Sequence, residues 1–128
     1  MYIIDSEKSF QSFVDDIKAH EDKLVVVCFC AAWCRTCAKY EEDFSALSQE
    51  FKDVIFAWID IEVFGDEILG DEEIENFPTI LLQHQGKNAF FGTMLPMISQ
   101  LSRLIQSTTL PVTHPKEGPA DLVKLLQS

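Results

Sequence analysis

Four cysteines, Cys28, Cys30, Cys34 and Cys37, fall within ten residues of a 128-residue chain that has no others. A disulfide framework staples distant segments together, and a cluster this tight cannot do that. The sulfur is therefore local and chemical. Its centre is Trp33-Cys34-Arg35-Thr36-Cys37, preceded by an apolar run and followed by an amphipathic one. At the opening of a helix, free N–H groups and the helix dipole favour a thiolate, here on Cys34. Cys37, three residues on, faces back toward it. A mixed disulfide between Cys34 and another chain would then lie within reach of Cys37, whose attack releases the partner. A Cys-x-x-Cys pair alone is a weak signal. At a strand-to-helix junction in a β/α order it is a strong one.

The neighbouring residues carry competing readings. A four-sulfur metal site is disfavoured on the expectation that Cys28 and Cys30 point to opposite faces of their strand. No metal is expected. Cys28 reads as core, because buried free cysteine behaves as a small hydrophobe. Cys30 reads as packing, with an accessory redox duty, an alternative disulfide or a partner contact, left open. Trp33 either shapes a partner surface or lids the local core. The acidic stretch from Asp60 to Glu75 reads as solvated, without calcium-loop spacing. His20, His84 and His114 are scattered, with His84 expected to be exposed at a hairpin, and no phosphate-gripping glycine loop is present.

These residues need elements to position them. Tyr2 to Ile4 is a short strand candidate. Phe10, Phe13, Val14 and Ile17 predict an amphipathic helix over Ser6 to Ala19, capped by Asp5 or Ser6. Leu24 to Phe29 is apolar and β-branched, as a doubly covered central strand is. A helix opens near Cys34, with Ala38, Phe44, Leu47 and Phe51 on its inner side. Val54 to Ile61 is the next strand. One or two helical turns, broken at Gly65 and Gly70, follow. Thr79 to Leu82 and Ala89 to Phe91 form an antiparallel hairpin around a turn at Gln85-Gly86-Lys87-Asn88, with Gly92 ending it. A last packed helix runs from Pro96 to Gln106, its first turn suited to Pro96. Three prolines mark the stretch after Thr108, and Asp121 to Leu126 adds a short helix. The order β-α-β-α-β-α-β-β-α implies right-handed crossovers and a mixed sheet with helices on both faces.

Composition agrees with a single domain. Hydrophobic residues make up 47% of the chain, ten of them Phe, enough to bury a core in one domain but not two. Ten basic residues stand against 21 acidic ones, a net charge of -11. That surface repels phosphate backbones and anionic lipids, so neither nucleic acid nor membrane attachment is expected. The opening Met1-Tyr2-Ile3-Ile4-Asp5 lacks a basic leader with an apolar segment behind it, which points to a cytoplasmic location.

With these elements in place, the chain resembles the thioredoxin family from about Ser6 to Gln106. The residues that carry the likeness are Ala32-Trp33-Cys34-Arg35-Thr36-Cys37, Phe77-Pro78-Thr79 and Gly92. The resemblance implies a three-layer α/β/α sandwich with a mixed central sheet over residues 1–107; the proline-marked stretch beyond it, 108–128, reads as a C-terminal extension packed on or flanking that domain. It implies Cys34 as nucleophile, Cys37 as resolving thiol and Pro78 in a cis peptide facing the pair. Trp33, Arg35, Thr36, Phe77, Thr79 and Gly92 would shape the site and bind substrate. Proteins of this family exchange disulfides with extended, cysteine-containing polypeptides, carry no cofactor, and are recharged by a flavoprotein disulfide reductase that uses NADPH. Independently, a residue before proline is held extended, so Phe77 would offer its N–H and C=O to a bound peptide strand.

The chain departs from the family pattern in several places. Cys28 stands where a buried acid is common, Trp58 where a lysine often pairs with it, and Cys30 where a second tryptophan is found. Arg35-Thr36 replaces Gly-Pro, and Glu42 replaces a mid-helix proline. Losing the buried acid should slow deprotonation of Cys37, with Asp60 or Glu62 as nearby substitutes. Arg35 pushes the pair toward oxidising behaviour. The expected function is dithiol-dependent reduction of protein disulfides in cell redox homeostasis, by a monomer. The alternative is a binding or chaperone module whose redox pair regulates its contacts.

Overall fold

The computed structural model describes residues 1–70, 72–74 and 76–125. Strand β1 (Tyr2–Ile4) leads into helix α1 (Glu7–Ala19), β2 (Leu24–Cys30), α2 (Arg35–Glu50) and β3 (Val54–Asp60). Two single-turn helices, α3 (Ile61–Phe64) and α4 (Asp66–Leu69), precede the hairpin β4 (Thr79–His84) and β5 (Lys87–Thr93). Helices α5 (Ile98–Ser107) and α6 (Leu122–Leu125) complete the described elements. The strands form one sheet in the order β1-β3-β2-β4-β5. β3 is parallel to both β1 and β2, whereas β4 runs antiparallel to β2 and to β5. This is the mixed α/β sandwich expected, with the third helical region split in two at Gly65.

Every residue of β2 is buried, and its side chains alternate between two cores. Val25, Val27 and Phe29 meet Phe10, Phe13 and Val14 of α1 and Phe64, Ile68 and Leu122 on one face. Leu24, Val26, Cys28 and Cys30 meet Cys37, Tyr40, Phe44 and Leu47 of α2 and Leu101 and Ile105 of α5 on the other. Cys28 and Cys30 thus share a face, contrary to the expectation that they diverge. The reason is the period of two along a strand, which returns residue i+2 to the side of residue i.

Several local expectations also shift. Ser6 caps α1, its side chain accepting from the Ser9 N–H while the Ser9 hydroxyl accepts from the Ser6 N–H. The hairpin turns through Gln85 and Gly86 alone, at φ 52° and 80°, the left-handed pair that a two-residue turn requires. Lys87 and Asn88 consequently belong to β5, and Gly92 lies inside that strand. Pro96 precedes α5 instead of opening it, because Met97 N–H closes a tight turn on Leu95 O at 2.7 Å and the helix starts at Ile98. His84 is buried, with Nε2 3.1 Å from the Asp22 carbonyl.

The segment after α5 returns to the sheet. Asn88 donates to Pro119 O (2.9 Å), Gln83 donates to Ala120 O (3.0 Å), and Leu122 N–H donates to Gln83 Oε1 (3.0 Å). Asp71, Glu75 and Leu126, which the sequence places in the acidic stretch and the last helix, lie outside the described residues. Among the described residues no helix is long and apolar enough to cross a membrane.

Candidate active site

The site forms where β2 ends and α2 begins. Cys34 takes the N-cap position of α2 in an extended conformation, just before the first helical turn in which the sequence places it. Its carbonyl accepts from Ala38 N–H at 3.2 Å. No side chain caps this helix, so its first N–H groups are left for the Cys34 sulfur or for a bound anion. Cys34 is half-buried, while Cys28, Cys30 and Cys37 are buried. Arg35 and Thr36 are exposed on the first turn, which leaves the Arg35 charge screened by water.

Cys37 is disulfide-bonded, and its partner is Cys30, not Cys34; the Cα atoms are 5.8 Å apart. Helical side chains tilt back toward the helix start, which carries the Cys37 sulfur inward over the end of β2. Cys34 remains a free thiol, as does Cys28. The Cys28 sulfur is 3.9 Å from that of Cys30. Burial, with a smaller contribution from the Glu41 charge, pushes the Cys28 thiol well above its ordinary range. It therefore stays protonated. Tyr40, buried behind it, has a hydroxyl without a partner among the described residues. Burial, aided by Cys28 and Asp43, pushes that phenol up as well. Among the described residues no group of three or more His, Cys, Asp or Glu could hold a metal.

Trp33 is 66% exposed. Its Nε1 donates to Glu62 Oε1 at 2.6 Å, and its ring stands edge-on to Phe77 with centroids 5.6 Å apart. Asp60, at the end of β3, braces the same loop: Oδ2 accepts from Ala32 N–H (3.2 Å) and Oδ1 from Glu62 N–H (3.0 Å). Both acids hold the loop that carries Trp33.

The Phe77–Pro78 bond is cis, as the resemblance implies. Phe29 pairs with Thr79 across β2 and β4, so one step further along each antiparallel strand come Cys30 and Pro78. Pro78 O accepts from Met94 N–H at 3.0 Å. Phe77 packs at the edge of the core that holds the cysteines. Its own N–H and C=O have no partner among the described residues, which leaves a short backbone edge for a peptide. Thr79 is buried and donates its hydroxyl to Asn76 O at 2.7 Å. Gly92, on β5, sits across from Ile80 of β4, two strands out from the cysteine-bearing β2.

Sequence reasoning missed a cleft of about 380 Å³ beside Cys37, lined among others by Ala31, Ala38, Glu41, Trp58 and Asp60. Trp58 lies directly across from Cys28 in the β2–β3 register. Glu41 is four residues after Cys37, one helical turn along the same side of α2, a spacing that could have flagged it.

A free, half-exposed thiol at a helix start, a buried disulfide one turn away and a cis-proline loop beside them define a thiol–disulfide oxidoreductase. The family model for thioredoxin matches residues 2–103. A thioredoxin of Geodia cydonium is 35% identical over 80 residues, covering 62% of this chain and 74% of its own. That of Oryctolagus cuniculus is 36% identical over 84 residues, covering 66% and 76%. Among solved structures, a Nicotiana alata thioredoxin superposes with a TM-score of 0.68 at 27% identity, over 83% of this chain and 90% of that one. A Fasciola hepatica thioredoxin does so at 0.69 and 21% identity, over 85% and 100%, a likeness of fold alone. The chain belongs to the thioredoxin family, and it exchanges thiols and disulfides.

Proposed function

We propose that this protein reduces disulfides in other proteins as part of cell redox homeostasis, acting as a cytoplasmic monomer recharged by a flavoprotein disulfide reductase. The observation that carries this reading is the placement of Cys34. It is the least buried of the four cysteines, it sits at an uncapped helix start, and it directly follows Trp33, whose ring packs on Phe77. A substrate segment lies extended along the free backbone of Phe77, next to Pro78. Cys34 attacks its disulfide and forms a mixed disulfide. Cys37 then attacks the Cys34 sulfur, and the substrate leaves as a thiol. Exposed Trp33 and Leu95 supply apolar contact with the bound segment. Clustered thiols, two of them free, suit a reducing compartment.

The test is insulin-disulfide reduction with dithiothreitol as regenerant. Turnover well above the uncatalysed rate, lost in Cys34→Ser, is expected. Equal rates for the wild type and Cys34→Ser would refute the assignment. A reduction potential near about -270 mV marks a reductase, and one near about -120 mV an oxidant.

A further inference from the structure

The four cysteines differ sharply in access. Cys30 and Cys37, 1% and 2% exposed, are bonded to each other, and Cys28 is fully covered. Only Cys34 is not buried. An outside disulfide or reductant therefore meets Cys34 first, and electrons reach the inner bond through it. We propose that Cys30 is a second resolving cysteine, which takes the disulfide from Cys34–Cys37 and holds it in the interior as Cys30–Cys37.

The inference rests on the exchange reading above and extends it by one step. Once substrate has left, Cys34 and Cys37 are joined. The Cys30 sulfur attacks the Cys37 sulfur; the Cys30–Cys37 bond forms and the Cys34–Cys37 bond breaks. Cys34 departs with the electron pair and takes the proton that Cys30 gives up. One disulfide replaces another, and no external oxidant or reductant is consumed.

Three observations carry the step. The Cα separation of Cys30 and Cys37, 5.8 Å, falls in the range of about 4.4–6.8 Å that a disulfide spans. Cys30, the last residue of β2, and Cys37, one turn into α2, face each other within one core, so no backbone rearrangement separates them. Cys28 lies on the same face with its sulfur 3.9 Å from that of Cys30, yet it stays free while Cys30 is bonded to Cys37, so of these two sulfurs it is Cys30 that reaches Cys37. The oxidised protein thereby keeps a free Cys34 thiol at its surface while its disulfide is shielded from direct attack. Recharging runs the step backward, through attack of Cys34 on Cys37.

The sequence offers a clean readout. Cleavage after Phe29, Trp33 and Arg35 puts each of the four cysteines on its own peptide. Reduced full-length protein is mixed with equimolar insulin, quenched in acid at intervals, alkylated, digested with trypsin and chymotrypsin, and mapped by mass spectrometry. A Cys34–Cys37 bond that gives way to Cys30–Cys37 is expected. Iodoacetamide should then label about one thiol per folded oxidised chain, on Cys34, the accessible sulfur. Cys30→Ser should hold the bond at Cys34–Cys37 and leave no labelled thiol. A wild-type protein that keeps Cys34–Cys37 throughout, with insulin reduced, would overturn the second resolving step and leave the exchange reading intact. Insulin left unreduced, with no intramolecular bond formed, would overturn both. The wild-type map decides the question whether or not the variant folds.

Discussion

Replacing Gln83 by leucine should destabilise the protein by removing the joint between the hairpin and the segment that follows α5. Gln83 is only 3% exposed. Its amide donates to Asn88 Oδ1 at 2.8 Å and to Ala120 O at 3.0 Å, and accepts from Leu122 N–H at 3.0 Å. Leucine fills similar space and makes none of these bonds. Ala120 is exposed and can turn to water. The Leu122 N–H and Asn88 Oδ1 are buried and cannot. Two orphaned buried groups at roughly 1–3 kcal/mol each, less the gain from burying an apolar side chain, give about 3 kcal/mol. With a urea slope of about 2 kcal/mol/M, the unfolding midpoint should fall by about 1.5 M. Equilibrium urea unfolding followed by tryptophan fluorescence measures this directly. Gln83 is remote from the cysteines, so disulfide exchange by the folded fraction should be unchanged. A midpoint within about 0.3 M of wild type, at equal slope, would refute the argument that these hydrogen bonds secure the extension.

Two other perturbations test the site and the edge of the sheet. Asp60→Ala removes the acceptor for both Ala32 N–H and Glu62 N–H and should cost about 1–2 kcal/mol, with Trp33 fluorescence shifted and insulin reduction slowed; an unaltered emission spectrum and rate would contradict the brace. Tyr2 donates to Asp16 Oδ2 at 2.7 Å, and burial first, then Asp16, pushes the Tyr2 phenol up to about 12. The folded state thus favours the protonated phenol, so stability present below pH 10 should decline between about pH 10 and 12. Burial pushes Asp16 up, but hydrogen bonds from Tyr2 and His20 and the nearby His20 and Lys23 charges outweigh it and hold its carboxyl below the usual range. Its contribution is therefore present above the ordinary carboxylate range and is lost as pH falls through it. Tyr2→Phe should flatten the alkaline decline and weaken the acid one in thermal melts across pH; identical pH profiles for the two proteins would rule the pair out.

Much of the site was legible because its signals are local. Ser6 at a helix start, an unbroken apolar β2 and the Cys-x-x-Cys at a strand-to-helix junction each depend on neighbours in sequence. So does the hairpin, although the positive φ at both Gln85 and Gly86 shortened its turn and moved Asn88 into the strand. The position of Cys34 followed from the same local pattern. Its bonding did not, because four sulfurs within ten residues admit several pairings and the choice depends on which face each one occupies in the folded sheet.

By itself the sequence determined where the reactive sulfurs stand along the chain and which elements flank them, because strand and helix periods are written in the order of side chains. The tertiary structure decided that Cys37 meets Cys30, that Glu41 and Asp60 share a cleft with Cys37, and that Gln83 holds the returning segment. Each of these joins residues on different elements or on separate turns of one helix. Such contacts exist only once packing has set the distance between those elements, a quantity that no local pattern of residues encodes.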